Sequence, residues 1–361
     1  MTHSPRDRHH RQKLLAQIGE AGQGSIRAGH AVIAGCGALG TVAAEMLCRA
    51  GVGTLTLIDR DIVEWTNLQR QTLYVERDAR DATPKAGAAA ERLGQIDSSV
   101  AVRPLIADLT GRNVERLLGL GQSGVAMPSV ILDCTDNFDT RYLLNDAAVK
   151  HGVPLVYAGV VGTEGLTMTI VPGARPCLRC VFPDPPSASS PSRTRTCDTA
   201  GVLGPAASVV ANFQAAEAIK ILAGRARDAR ASLLQADVWS GEVRTMQLPA
   251  APSEDCPCCA ERRFEFLDSV AGPSAALCGR DAVQVSPSVE TRLDLDALAL
   301  RLAEHGTFAR TRFSVRGSLA PEQTDCAEQV EVTIFADARA IFRGVRTPER
   351  ARALYARYIG S

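Results

Sequence analysis

The sequence predicts an α/β fold, a doubly wound and mostly parallel sheet followed by a small α+β domain. Short apolar segments alternate with helical segments over the first two thirds of the 361 residues, which is the order that parallel sheets require. A glycine-rich loop joins the first predicted strand to a helix, as in Rossmann-like folds. Beyond Cys259 the order changes to a strand, a helix, a hairpin and a terminal helix, which indicates a second domain.

Each element of the larger domain, residues 1–262, has its own sequence signal. Strands are short apolar runs, and helices carry apolar residues at helical spacing or begin at capping residues. Thr83 is the expected N-cap of a helix that opens at Pro84. In chain order we predict helices at 13–29, 41–49, 84–93, 139–151 and 205–223, and strands at 30–34, 54–59, 100–104, 130–133 and 231–239.

Two regions have a different composition. Residues 182–200 are rich in Pro, Ser and Arg, cannot build a core and are expected to form a mobile loop. The C-terminal domain, residues 263–361, is predicted to contain a strand near 282–285, a helix at 293–304, a hairpin and a last helix opened by Thr347 and Pro348.

The overall composition excludes several classes of partner. With 40 basic and 40 acidic side chains the formal net charge is zero, so no overall field favours nucleic acid or anionic lipid. The N-terminal segment lacks the apolar core of a signal peptide. The apolar stretch 201–224 contains four interrupting polar residues, which indicates a buried helix and not a membrane span. We therefore expect a cytoplasmic protein with no membrane or nucleic-acid partner.

The glycine-rich loop spans residues 35–40, and its backbone N–H groups can approach a phosphate or ribose closely. Asp59, at the end of the next strand, can accept hydrogen bonds from ribose hydroxyls. By themselves these features fit a nicotinamide-dependent enzyme as well as any other nucleotide-binding protein. The predicted nucleoside-binding residues are Gly35, Gly37, Ala38, Gly40 and Asp59.

A polar segment at residues 61–71 redirects this interpretation. The planar guanidinium of Arg70 suits a triphosphate, and Lys85 adds a second positive charge. A solvated polar loop explains any one of these residues about as well, but explains the whole group poorly. The predicted phosphate-contacting set is Asp61, Asn67, Gln69, Arg70 and Lys85.

Acidic residues follow the buried strand 130–133. A carboxylate at this edge of the sheet, near a bound triphosphate, is a suitable Mg²⁺ ligand. Helix capping by Asp136 or Asn137 is the alternative, and both roles can coexist. We prefer Asp136 to Asp133 as the magnesium ligand and place Asn137 beside the nucleotide. The combined motifs predict ATP as the cofactor.

Cysteine spacing predicts a metal site. Two CxxC pairs, Cys177 with Cys180 and Cys256 with Cys259, supply four thiolates for a closed, structural Zn²⁺ site. Cys258 is a competing ligand whose adjacent spacing fits poorly. The alternative, four unrelated buried cysteines, leaves the paired spacing unexplained.

Cys197 is the candidate reactive thiol. It lies near Arg193 and Arg195 and just before a helix, and these positive charges would lower its pKa and favour the thiolate. The alternative is a loop cysteine with no essential role. We expect the remaining cysteines to be small packing residues: Cys36, Cys48, Cys134, Cys278 and Cys326.

Together the motifs resemble those of the E1-like adenylyltransferases of the ThiF/MoeB/HesA family, from about Arg8 to Cys259. Residues 8–12 are similar to the family's N-terminal arginine motif, and residues 35–40, 67–70, 84–85 and 133–137 are similar to its nucleotide loop, phosphate block, lysine turn and magnesium corner. The resemblance implies a homodimer that adenylates the C-terminal glycine of a ubiquitin-like, β-grasp sulfur carrier ending in Gly-Gly. It also implies that Arg11 serves the neighbouring subunit's ATP and that Cys197 takes part in thiol chemistry.

The chemistry of these residues agrees with the mechanism that the resemblance implies. Attack of a carboxylate on the α-phosphate needs positioning and charge neutralisation more than a strong base, and Arg11, Arg70, Lys85 and Mg²⁺ on Asp136 supply positive charge. Three alternatives stay open: a tRNA-modifying dehydratase, an NAD-dependent oxidoreductase and an inactive E1-like scaffold subunit. The C-terminal domain is our candidate for docking the carrier or another partner.

Overall fold

The computed structural model divides into two units, residues 1–270 and 271–361. It describes residues 7–124, 126–185, 200–268, 274–277, 282–287, 291–320, 329–345 and 347–360. None of the helices in these described ranges is long and apolar enough to cross a membrane.

An eight-stranded sheet forms the centre of the first unit. Its strands are β1 (His30–Ala34), β2 (Thr54–Ile58), β3 (Ala101–Leu105), β4 (Val130–Asp133), β5 (Leu155–Val161), β6 (Glu164–Ile170), β7 (Ser232–Asp237) and β8 (Glu242–Gln247). Their order is β3-β2-β1-β4-β5-β6-β7-β8. The first five in this order are parallel, whereas β6, β7 and β8 each run antiparallel to the preceding strand. The predicted α/β fold with a mostly parallel sheet is confirmed.

Helices cover both faces of this sheet. They are α1 (His10–Lys13), α2 (Gly19–Ala28), α3 (Ala38–Arg49), α4 (Glu76–Arg80), α5 (Lys85–Ile96), α6 (Val114–Leu118), α7 (Phe138–His151), α8 (Leu178–Val181), α9 (Gly204–Leu222) and α10 (Glu265–Asp268). Ala31 and Ile33 of β1 pack in a core with α3, α5 and α9. Val32 and Ala34 pack in a second core with α6 and α7. The alternation of β1 side chains between two cores makes the sheet doubly wound.

Two local predictions are wrong. The predicted helix 13–29 is two helices, because Gly19 adopts a φ of +60°, which a continuous helix cannot contain. Thr83 is not the N-cap of α5, because Pro84 takes the cap position in an extended conformation. Hydrogen bonds from Val63 N to Thr83 O and from Lys85 N to Asp61 O, each 2.8 Å, hold this segment extended.

Within its described residues the second unit contains an antiparallel sheet and two helices. Its elements are β9 (Ser274–Leu277), β10 (Ala282–Val285), α11 (Leu295–Leu302), β11 (Gly306–Arg310), β12 (Ser314–Leu319), β13 (Glu331–Phe335), β14 (Ala340–Arg343) and α12 (Pro348–Tyr358). The strand order is β11-β12-β13-β14-β10-β9. Leu298 of α11 and Leu354 of α12 share one core with the sheet. The hairpin and the last helix, capped by Thr347, agree with the prediction.

A buried carboxylate joins α9 to the antiparallel part of the first sheet. Glu217, 1% exposed, accepts hydrogen bonds from Lys220 Nζ at 2.6 Å, Thr169 Oγ1 at 3.0 Å and Arg230 N at 2.7 Å. Burial raises the pKa of Glu217, but these donors outweigh it and leave the pKa below its usual value of 4.5. The network therefore holds Glu217 ionised.

We predict that Glu217→Gln lowers the free energy of unfolding by about 3–5 kcal/mol near neutral pH, because an amide N–H₂ would face these donors. Since the folded-state pKa is lowered, this stabilisation is present above pH 4.5 and is lost as the pH falls through the folded-state pKa. Denaturant unfolding at several pH values measures both effects. Glu242→Gln, which breaks an exposed pair with Arg244, is the control and changes stability by less than about 1 kcal/mol. Equal midpoints for wild type and Glu217→Gln would contradict the assignment.

Candidate functional site

The candidate site lies where the carboxyl ends of β1, β2 and β4 meet. β1 lies between β2 and β4, so the strand order reverses at this point. Gly35 follows β1 and donates its N–H to Ile58 O, the last residue of β2, at 2.8 Å. Ligands of open α/β sheets bind in the crevice at such a switch point.

Two glycines of the loop are required by close backbone approaches. Gly35 has a φ of +90°, and a Cβ there would lie 2.7 Å from Cys134 O. A Cβ on Gly40 would lie 1.9 Å from Gly35 O. Gly37 differs, because the nearest atom to its hypothetical Cβ is Gln71 Nε2 at 3.9 Å. Gly37 is the N-cap of the twelve-residue helix α3, which begins at Ala38, so an anion at this loop would face a helix N-terminus.

Asp59 fastens the glycine loop to the loop that follows β2. Its Oδ2 accepts the Cys36 N–H at 2.6 Å, and its Oδ1 accepts the Asp61 N–H at 2.7 Å. Burial raises the pKa of Asp59, whereas the Lys85 ammonium lowers it. The side chain is partly exposed, and each carboxylate oxygen has a further lone pair for a ligand.

Lys85 is held in place by the carboxylate of Asp61. Its side chain is 6% exposed, and its Nζ lies 3.0 Å from Asp61 Oδ2. Tyr74, which the motif analysis missed, directs its hydroxyl at Cys36 O at 2.7 Å and at Lys85 O at 3.2 Å. Tyr74 thus joins the glycine loop to the start of α5. No short-range sequence signal indicates this role, because the hydroxyl binds backbone carbonyls of two distant segments.

The phosphate block is a turn stabilised by its own side chains. Asn67 is buried, and its Oδ1 accepts the Glu64 N–H at 3.0 Å. Gln69 is exposed, and the half-buried Arg70 donates from Nη1 to Thr66 O at 2.8 Å. Gln71 is 4% exposed, and its Oε1 has no hydrogen-bond partner among the described residues. Gln71 is therefore a further candidate for contacting a ligand beside Gly37.

The predicted magnesium corner contains one exposed and one fully buried aspartate. Asp133 is 0% exposed and accepts hydrogen bonds from Thr135 N at 3.0 Å and Thr135 Oγ1 at 2.7 Å. Burial raises the pKa of Asp133 above its usual value, and the nearby Arg141 offsets only part of this rise. Asn137 caps α7 by accepting the Thr140 N–H at 2.8 Å. Asp136 is exposed, so its carboxylate is the one in this corner that can reach a bound cation.

Two further residues that the motif analysis missed fix this corner. Arg141 lies over the rings of Phe138 and Tyr157 and donates from Nη2 to Thr135 O at 2.9 Å. Gln214 of α9 donates from Nε2 to Asp133 O and Val156 O, each at 2.8 Å. A buried glutamine in a largely apolar helix is a sequence signal for such a contact.

Four cysteines form a metal-competent cluster. The Sγ atoms of Cys177, Cys180, Cys256 and Cys259 all lie within 4.8 Å of one another. Three of the sulfur pairs are 3.7, 3.9 and 3.8 Å apart. Tetrahedral thiolates at a Zn–S distance of about 2.3 Å are roughly 3.8 Å apart, so these three separations are compatible with a zinc site. Hydrogen bonds from the thiols of Cys180, Cys258 and Cys259 lower the pKa of Cys177.

Other predicted residues lie elsewhere. Arg11 is exposed on α1. The thiols of Cys36, Cys48 and Cys134 are free and buried, as predicted, and burial raises the pKa of each, that of Cys48 to about 11. Cys197 lies outside the described residues, as do Arg193, Arg195, Cys278 and Cys326.

Comparison with known proteins decides the family. The model of the ThiF family matches residues 9–258. The chain belongs to the ThiF family. Over 355 residues this ThiF-family chain is 40% identical to the sulfur carrier protein ThiS adenylyltransferase of Bacillus subtilis, covering 98% of this chain and 99% of that protein. It is 37% identical over 266 residues to the SAMP-activating enzyme E1 of Haloferax volcanii, covering 73% of this chain and 92% of that protein.

A solved structure gives the same fold. The crystal structure of E. coli MccB with ATP matches with a TM-score of 0.59 and 21% identity, covering 71% of this chain and 75% of that one. At this identity the likeness concerns the fold alone. The family resemblance seen in the motifs is thus confirmed by the family model and by the relatives with higher identity.

We predict that two alanine substitutions in the glycine-rich loop affect stability to very different extents. Gly40→Ala lowers the free energy of unfolding by about 3 kcal/mol, because its methyl group collides with a backbone carbonyl. Gly37→Ala, the matched control, changes it by less than about 0.5 kcal/mol, because its methyl group makes only an ordinary van der Waals contact with Gln71 Nε2 at 3.9 Å. Denaturant unfolding without nucleotide measures both. Equal stability of the two variants would show that the loop geometry is wrong.

Proposed function

We propose that this protein uses ATP to adenylate the C-terminal glycine carboxylate of a ubiquitin-like, β-grasp sulfur carrier of the ThiS or MoaD type. The observation that carries the proposal is the glycine loop, which lies against Cys134 after β4 and is joined to Lys85 through Tyr74, in a ThiF-family chain. The likeness to the ThiS adenylyltransferase extends over 99% of that relative, so it includes both units of this chain.

The geometry supports an in-line displacement. The glycine loop and Asp59 hold the nucleoside, and Arg70 and Lys85 contact the phosphates. A carboxylate oxygen of the carrier attacks the α-phosphorus, the bond to the bridging oxygen breaks, and pyrophosphate leaves with the electron pair. Lys85 is already fixed by Asp61 at 3.0 Å, so little reorganisation is needed when charge develops. Mg²⁺ on Asp136 would neutralise charge on the departing pyrophosphate.

The remaining nucleotide contacts follow from the same arrangement. Gln69 and Asn137 border the phosphates, Asn67 keeps the phosphate turn in shape, and the Gln71 carbonyl oxygen is available near Gly37. The Cys₄ cluster holds one structural Zn²⁺, since four thiolate ligands complete a tetrahedral coordination shell and leave no open position.

The proposed partners are a second copy of this chain and the carrier protein. The protein acts as a cytoplasmic homodimer in which Arg11, exposed on α1, reaches the ATP of the neighbouring subunit. The carrier ends in Gly-Gly, as the family resemblance implies. Cys197 acts on the adenylated carrier and not in adenylation itself.

We predict that Lys85→Ala and Asp136→Ala each lower carrier-dependent ATP–pyrophosphate exchange by about 10²-fold or more, because each removes charge stabilisation of the leaving group. Exchange is measured with β-grasp proteins ending in Gly-Gly from the same genome. Lys150→Ala is a matched control, because Lys150 pairs with Glu115 and lies at the opposite end of α7 from Asp136.

Cys197→Ala retains exchange. Normal exchange by Lys85→Ala would contradict the phosphate assignment, and loss of exchange in Cys197→Ala would contradict the separation of adenylation from thiol chemistry.

We also propose that the second unit docks the carrier or another partner. A chain ending at Asp268 keeps Phe264, Phe266 and Leu267, which pack in the core of the first unit. We predict that this truncation raises the carrier concentration for half-maximal exchange by at least about tenfold, equivalent to 1.4 kcal/mol. The KM for ATP stays unchanged and serves as the internal control. Unchanged carrier affinity would contradict a docking role.

A further inference from the structure

We propose that Asn145 is an outer-shell residue of the Cys₄ site and orients Cys177 through its side-chain amide. It thereby joins the metal site to α7, the helix that begins at the magnesium corner. The inference rests on the proposed zinc site. It assigns Asn145 a positioning role, since its contacts are to sulfur atoms and backbone and not to any reacting atom.

Every polar atom of the Asn145 side chain has a specific contact. Asn145 is 0% exposed and lies within α7. Its Oδ1 accepts the Leu178 N–H at 2.9 Å, and its Nδ2 lies 3.3 Å from Cys258 Sγ and 3.8 Å from Cys177 Sγ. The Leu178 N–H can only donate, so Oδ1 must face it. The two N–H bonds are therefore directed at the sulfur atoms.

This amide suits a negatively charged cluster. Four thiolates around one Zn²⁺ carry a net negative charge, and N–H donors to sulfur stabilise it. Cys177 is 0% exposed, so water cannot replace the donor. The same amide also holds Leu178, the first residue of α8, and thereby fixes the turn between Cys177 and Cys180. Outer-shell hydrogen bonds of this kind orient metal ligands.

Cys258 completes the arrangement without belonging to the metal-competent group. It is buried beside Asn145 and lies outside the four cysteines whose sulfur atoms are mutually close. It receives one of the two amide N–H groups, and Cys177 receives the other. The adjacent cysteine is thus a packing and hydrogen-bonding partner of the amide, which gives it a role other than coordination.

Helix α7 links the metal site to the magnesium corner, residues 133–137. Asn137 caps the helix, Arg141 bonds to the corner at Thr135 O, and Asn145 reaches the cysteines. These residues are four apart, so they follow one another along one side of the helix. Asn145 lies eight residues from Asn137, a distance of about 12 Å along the axis. Asp146 adds a second tie by accepting the Phe266 N–H at 3.0 Å.

The decisive variant is Asn145→Asp in the full-length protein. Aspartate keeps the size and the acceptor for Leu178 N but replaces the N–H donors by an oxygen that faces thiolates. We expect its zinc affinity, measured by competition with a colorimetric chelator, to fall at least about tenfold relative to wild type. Asn212→Asp is the matched control, because Asn212 is exposed on α9 and contacts only Ser208 O among the described residues. Its zinc affinity stays at the wild-type value.

A measurement on the wild-type protein covers the case in which Asn145→Asp does not fold. We expect removal of zinc to increase deuterium uptake in residues 138–151 and not in α3, which packs in the other core. Unchanged uptake in 138–151, or wild-type zinc affinity in folded Asn145→Asp, overturns the proposal. A wild-type protein without zinc refutes the zinc site itself, whereas a failed pyrophosphate exchange with zinc bound refutes adenylation and leaves Asn145 unaffected.

Discussion

The close approach of the glycine loop to the end of β4 is the constraint on which the site depends. A Cβ on Gly35 would lie 2.7 Å from Cys134 O, so only glycine lets the loop after β1 lie against the loop after β4. This approach brings the magnesium corner beside the glycine loop. Asp59, which binds Cys36 N at 2.6 Å, then fixes the same loop to the segment after β2. The segments after three strands, β1, β2 and β4, therefore lie together at this edge of the sheet.

The polar groups at this edge of the sheet divide into structural and available groups. Asp133 Oδ1 accepts hydrogen bonds from Thr135, its Oδ2 forms an ion pair with Arg141 Nε at 3.3 Å, and Asn67 is used in holding its own turn. Asp136 is exposed, and Gln71 Oε1 is buried without a partner among the described residues. Such a division is expected of a preorganised binding site. Internal hydrogen bonds fix the backbone, and the few remaining polar groups are available to contact a ligand.

Sequence patterns predicted the parts of the structure that local chemistry determines. The parallel strands, the glycine loop and the paired cysteines all have short-range signals, and these were sufficient for the fold and for the family. The contacts of Tyr74 and Asn145 join segments far apart in sequence, so no local pattern reveals them. For Gln214, a polar residue in an apolar helix signals that a partner is needed, but the partner itself is distant in sequence. The Thr83 prediction failed for the same reason, since a non-local hydrogen bond from Val63 overrides the local capping preference.

The most direct test of the central claim is the intact mass of the carrier after incubation with this protein and MgATP. The proposal predicts that the carrier gains one adenylyl group, with one pyrophosphate released for each adduct. A carrier lacking its terminal glycine gains none. An unmodified carrier beside a folded, zinc-bound and ATP-binding protein would contradict adenylation of the carrier, and so would modification of the carrier without its terminal glycine.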